Sequence, residues 1–378
     1  MMMRGWKYKA NLQFIMGSAA AVMAVITPVN LTLFTPLAAV VVFLSARFLN
    51  FSNVSLLLIF VLGGVVVSSI IGASSSNSLA VEMLAAVILL LILSLTSCKE
   101  EFFRGFMYIF AITAVIDVLV NVATWFYQFD ILGRPLDYRP GDFLPRFNGL
   151  YGHSFASVSV CISGFFASLF LNKNRLALFF ICVLPLTGSM RASLAAVYLL
   201  ALIVLGLFIQ RRWKYIFSYV ALLAGALLSV ALLVDPDGLR FLAWGFGLAY
   251  FLENWLLGYP GFIDEPINEG LGVSIDYLIS NGNFESMLLN LGAHFGVLVV
   301  IVISFLLLSC FRSALCEPRR AAYMIFVGYL IFDIFLGNFL SFIPTAIFSG
   351  IVLGRLAERH SYNGVDLTRD AGRLRLGD

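Results

Sequence analysis

Long apolar runs return throughout this chain, and no polar stretch between them is long enough to build a core of its own. A helix needs about 20 mostly apolar residues to cross the hydrocarbon of a bilayer. Runs of that kind cover roughly 12–28, 31–49, 54–72, 79–97, 103–127, 153–171, 175–189, 192–210, 215–234, 286–309, 321–337 and 339–356. The seventh is short, and the first two can also be read as one hairpin broken around Pro28 and Pro36. Within lipid a spanning segment must satisfy its own backbone, which a helix does and an isolated strand does not. The expectation is therefore a single all-α integral membrane domain over residues 1–378, with about 12 transmembrane helices. Charged residues make up only 12% of the chain, against about 25% in a soluble domain, which excludes a multidomain soluble enzyme.

The basic residues set an orientation. Cytoplasmic ends of membrane helices collect Lys and Arg. With the N-terminus inside, the inner turns gather Arg4, Lys7, Lys9, Arg47, Lys99, Arg104, Lys173, Arg175, Arg211, Arg212, Lys214, Arg312, Arg319 and Arg320. The tail 357–378 and the residues just before it add Arg355, Arg359, Arg369, Arg373 and Arg375. That segregation requires the twelve-span count and puts both termini in the cytoplasm. The basic start, MMMRGWKYKANLQF, is read as the inner end of an uncleaved first helix. No nucleic-acid partner is expected.

Two long loops are left outside, 128–152 and 235–285, together with a short turn, TGSMRASLA. They hold Arg134, Arg139, Arg146, Arg191 and Arg240, and no lysine. A planar guanidinium binds phosphate through paired hydrogen bonds and keeps its charge in a low-dielectric site. Several of them at the outer leaflet suit a lipid diphosphate. Individually they can also hold phospholipid headgroups or pair with the acidic second loop, which carries Asp235, Asp237, Glu253, Asp264, Glu265, Glu269, Asp276 and Glu285. Within that loop, GLRFLAWGFGLAYFLENWL has apolar residues at helical spacing and reads as an amphipathic helix on the outer interface, ended by GYPG.

Other polar groups have plainer readings. Asp235-Pro-Asp237-Gly238 is explained by a turn, and no metal or other cofactor is expected. Cys98, Cys161, Cys182, Cys310 and Cys316 show neither disulfide nor metal-ligand spacing. His294, between Gly292 and Gly296, is read as a packing residue. Glu82, Asp117 and Asp333 lie inside spans and should face the bundle interior. These three acids also motivate a rival class, a transporter or flippase coupled to protons, although such a site belongs near the midplane and the polar mass here lies at one face.

Four segments resemble a known family. PRFNGLYGHSFAS (145–157) is similar to the Arg-x-x-Gly-aromatic-Gly-His stretch of bacterial polysaccharide polymerases and O-antigen ligases. LTGSMRASLAAVYLLAL (186–202) resembles their Thr-Gly-Ser-Arg turn, with Met190 inserted before Arg191. LRFLAWGFGLAYFLENWLLGYPGF (239–262) is similar to the loop motif Arg-x-x-x-Trp followed by Asn-Pro-Leu-x-Gly-x-Gly, with Trp255 where proline is usual and Pro260 in place of a glycine. NFESMLLNLGAHFGVLVVIV (283–302) resembles the loop exit and next helix.

The resemblance implies a membrane glycosyltransferase with a GT-C-like bundle and two large periplasmic loops, the second carrying the interfacial helix. Its substrate would be an undecaprenyl-pyrophosphate-linked oligosaccharide at the periplasmic face of the bacterial inner membrane. A flippase and a chain-length regulator would be its functional partners. Arg191 and Arg240 would grip the leaving pyrophosphate. His153 or Glu285 would serve the attacking hydroxyl. Arg146, Arg139, Gly149, Tyr151, Trp244 and Glu253 would line the substrate site. Ligases of the family usually carry a histidine where the large loop meets the following helix. This chain has Glu285 there, which favours a polymerase over a ligase.

Overall fold

The computed structural model describes residues 12–22, 24, 90, 93–94, 100–130, 133, 136, 145–151, 154–187, 190–209, 239–256, 258, 286–316, 320–334 and 344–356. Among them the regular elements are all helical, in agreement with the all-α part of the expected fold class. We label them α1 (Leu12–Val22), α2 (Glu100–Tyr127), α3 (Ser154–Phe170), α4 (Asn174–Val183), α5 (Met190–Ile209), α6 (Leu239–Glu253), α7 (Met287–Cys316), α8 (Arg320–Phe332) and α9 (Pro344–Leu356). Among the described residues, α2 is the helix long and apolar enough to cross a membrane, with 28 residues and a mean hydropathy of 2.1. The expected 31–49, 54–72 and 215–234 spans and the 357–378 tail fall outside the described residues.

Local chemistry explains the element ends. Glu100 and Glu101 occupy the first turn of α2, where carboxylates complement the helix dipole. Asn172 takes a left-handed φ of 58° between α3 and α4, a conformation its short polar side chain tolerates. That turn lets the Lys173 N–H donate to the Ser168 carbonyl at 2.8 Å. Pro185 has no N–H to continue α4, and the chain tightens into a 3-10 turn over Leu184–Thr187. The short seventh run thus resolves into a ten-residue helix plus this turn.

Most helices are apolar all round. On α2, Phe103, Phe106, Met107, Phe110, Ala114 and Val118 are buried, while Ile112, Ile116 and Leu119 face outward. Such a helix is buried in a large core or lies against lipid. The bundle interior is an aromatic cluster: Phe110 lies 5.1 Å from Phe348, and Phe166 meets Phe326 edge-on at 5.1 Å. Small residues bring backbones together. A Cβ on Gly105 would stand 2.2 Å from the Phe14 carbonyl oxygen, and one on Gly164 2.5 Å from the Ala114 Cβ.

The helix ends sort into two levels. At one end, Arg355 near the close of α9 forms an ion pair with Glu100 at the start of α2. Phe170, closing α3, packs its ring 5.8 Å from Phe103 and 4.9 Å from Tyr323 at the start of α8. At the opposite end, the Ser286 hydroxyl before α7 donates to the Ile334 carbonyl at 3.4 Å, while midway along α5 the Tyr198 ring stacks on Phe332 at 4.7 Å. Chain direction therefore alternates through α2, α3, α4 and α5 and again through α7, α8 and α9.

Candidate functional site

The polar loop 145–151 is pinned at both sides. Trp125 Nε1 donates to the Pro145 carbonyl at 2.8 Å, and the Trp125 and Phe147 rings sit 4.8 Å apart. The Phe147 N–H donates to the Thr187 carbonyl at 3.3 Å. The Gly149 N–H donates to Asn121 Oδ1 at 2.8 Å, and the Leu150 N–H to Asp117 Oδ1 at 2.7 Å. The Ser157 hydroxyl donates to Asp117 Oδ2, and Asn121 Nδ2 donates to both the Asp117 carbonyl and Ser157 Oγ.

Asp117 is fully buried, and a buried carboxylate is tolerable only with hydrogen-bond donors around it. Here it receives them from the loop backbone and from α3, so the carboxyl group fastens the loop to the bundle. The expectation that Asp117 faces the interior holds, and its function as a clasp is the new element. Asp333 is fully buried as well. Glu82 lies outside the described residues.

Two of the four family-like segments are thereby joined. Arg146 lies between Pro145 and Phe147, both buried and both held. Its side chain is half-buried. The Thr187 carbonyl that anchors Phe147 precedes Arg191 by four residues, and Arg191 is the second residue of α5. The Arg191 side chain is outside the described part, as are those of Tyr151 and Arg240. Gly149 sits in the clasp itself, at a φ of 49°.

The other two segments form a second unit. Arg240 is the second residue of α6, which packs on α7, and Trp244 lies half-buried against the core. Glu253, the last residue of α6, is exposed. Helix α7 is broken at Gly296, whose φ of 77° and ψ of −179° belong to a region that only glycine enters readily. The break interrupts the helical ladder, and the Val297 N–H donates to the Trp255 carbonyl at 2.7 Å. Gly258 closes on the same place: a Cβ there would lie 2.4 Å from the Phe295 nitrogen. His294 is buried at the break, consistent with a packing role.

The sequence contained the Gly292–Gly296 pair but gave no sign that the second glycine breaks the helix. Arg139, His153, Glu285 and the Asp235–Asp237 turn lie outside the described residues. No protein-family model matches the chain, and no curated protein matches it either.

Proposed function

We propose that the chain is an integral-membrane glycosyltransferase that polymerises undecaprenyl-pyrophosphate-linked oligosaccharide repeats at the outer face of a bacterial inner membrane. In this reading it spans the membrane about twelve times, with both termini cytoplasmic. The end holding Arg146 and the start of α5 faces outward. The observation that carries the reading is the Phe147–Thr187 hydrogen bond, which draws together two arginine-bearing segments distant in sequence.

A sugar hydroxyl at the non-reducing end of one repeat attacks the anomeric carbon of the sugar diphosphate on the growing chain. The new C–O bond forms as the bond from that carbon to phosphate oxygen breaks, and the electron pair leaves on undecaprenyl pyrophosphate. The hydroxyl proton passes to His153 or Glu285. Arg191 and Arg240 stabilise the charge developing on the diphosphate, a contribution worth about 10²–10³ in rate for one well-placed donor. The helix dipole at the start of α5 adds to the same field. Arg146 and Tyr151 hold the acceptor against the pinned loop, with Gly149 permitting the turn.

Deleting the gene in its host and separating surface and lipid-linked glycans by size tests this. Single repeats on the carrier or on lipid A–core are the expected result. Long chains stranded on the carrier above bare core would mean a ligase instead. Repeats trapped on the cytoplasmic side would mean a transporter.

A further inference from the structure

An apolar groove of about 740 Å³ runs along the outside of the bundle between α2 and the start of α4. Its wall on α2 is Tyr108, Ala111, Ile112, Val115 and Ile116. From Tyr108 to Ile116 the helical rise gives a length of about 12 Å, enough for some ten methylenes of an extended acyl chain. Ile112 and Ile116 are exposed despite their size.

One rim of the groove is cationic. Lys173 and Arg175 line it, no carboxylate does, and neither cation makes an ion pair among the described residues. The first turn of α4 adds its positive dipole end at the same rim. Lys173 and Arg175 lie at the end of the bundle that carries the Glu100–Arg355 pair, the cytoplasmic end in the orientation proposed above.

We propose that this groove binds one anionic phospholipid of the cytoplasmic leaflet, its phosphate held by Lys173 and Arg175 and an acyl chain laid against Ile112 and Ile116. Charge complementarity selects the occupant: two cations, with Asn172 and Asn174 beside them, at the mouth of a mostly apolar channel suit an anionic headgroup on a hydrocarbon tail, and no carboxylate lines it to hold a zwitterion's ammonium. The inference rests on the membrane orientation given above and is independent of the glycosyl chemistry.

The full chain, purified in neutral detergent, is titrated with phosphatidylglycerol or with phosphatidylcholine while the thermal midpoint and the retained lipid are followed, the latter by native mass spectrometry. The wild type is expected to prefer phosphatidylglycerol by about tenfold or more. Replacing both cations, K173Q with R175Q, should abolish the preference, and K173R with R175K should keep it. Narrowing the channel with I112W and I116W should reduce retention with the cations intact. Two results overturn the proposal: an unchanged preference in the glutamine variant, or inorganic phosphate raising the midpoint as much as the lipid does. All of these residues are exposed, so each variant's lipid-free midpoint should match the wild type's. Chain-length analysis of the same variants separates failure here from failure of the polymerase reading.

Discussion

The Asp117 carboxylate occupies the space that any side chain at Gly149 would need: a Cβ there would lie 2.0 Å from Oδ1. The φ of 49° at Gly149 disfavours a side chain a second time. One residue therefore makes the turn and the other holds it, and the loop bearing Arg146 depends on both. Gly149→Ala is expected to destabilise the loop by at least about 2 kcal/mol through strain and loss of donors to a buried charge. Chain extension in cells should fall at least tenfold at normal protein levels, as read from the glycan ladder against immunoblot.

Removing the charge instead should separate folding from positioning. Asp117→Ala leaves the Leu150 N–H and the Ser157 hydroxyl without their acceptor, a cost of about 1–3 kcal/mol for each buried group so stranded. Asp117→Asn keeps an acceptor and places an amide toward the other donor, so its loss should be smaller. Thermal midpoints of the two variants in detergent would check the order, alanine below asparagine below wild type.

The break in α7 gives a third expectation. Gly296→Ala forces a Cβ into a backbone region costing about 1–3 kcal/mol and should loosen the Trp255–Val297 bond. Protease cleavage within 239–262 should rise severalfold. Trp255→Ala is the control. Its side chain is exposed and its contact runs through the carbonyl, which any residue supplies, so cleavage should stay near the wild-type rate.

The Glu100–Arg355 pair should be a small contributor to stability. The glutamate is half exposed while the arginine is buried, and solvent screens such a pair to at most about 1 kcal/mol. A double-mutant cycle with Glu100→Gln and Arg355→Gln measures the coupling. Arg355→Gln alone should cost more than the coupling, because its aliphatic stem packs against the bundle.

Apolar run length made the helical class legible, and the boundaries of α2, α3 and α5 fall within three residues of those runs. The helix after residue 238 was legible too from its 3.6-residue spacing, but α6 ends at Glu253, before the GYPG stop at 258–261 that the sequence suggested. What stayed hidden is tertiary. The break at Gly296 exists because Trp255, 41 positions earlier, offers a carbonyl to the N–H it frees, and nothing local in GAHFG announces that. Asp117 could be placed in the interior from the cost of burying charge, but its donors come from residues 33 and 40 positions away. The meeting of the Arg146 and Arg191 segments likewise depends on a backbone bond across 40 positions, between two residues that carry no charge.

The most direct test of the central claim is in vitro chain extension on undecaprenyl-pyrophosphate-linked repeats with purified wild type, Arg191→Ala and Arg146→Ala. Arg191→Ala is predicted to slow extension about 10²–10³-fold with little change in melting temperature. Arg146→Ala is predicted to weaken acceptor use, seen as a raised KM. Wild-type extension by both variants, folded and in equal amount, would contradict the assignment of this end of the bundle as the polymerisation site.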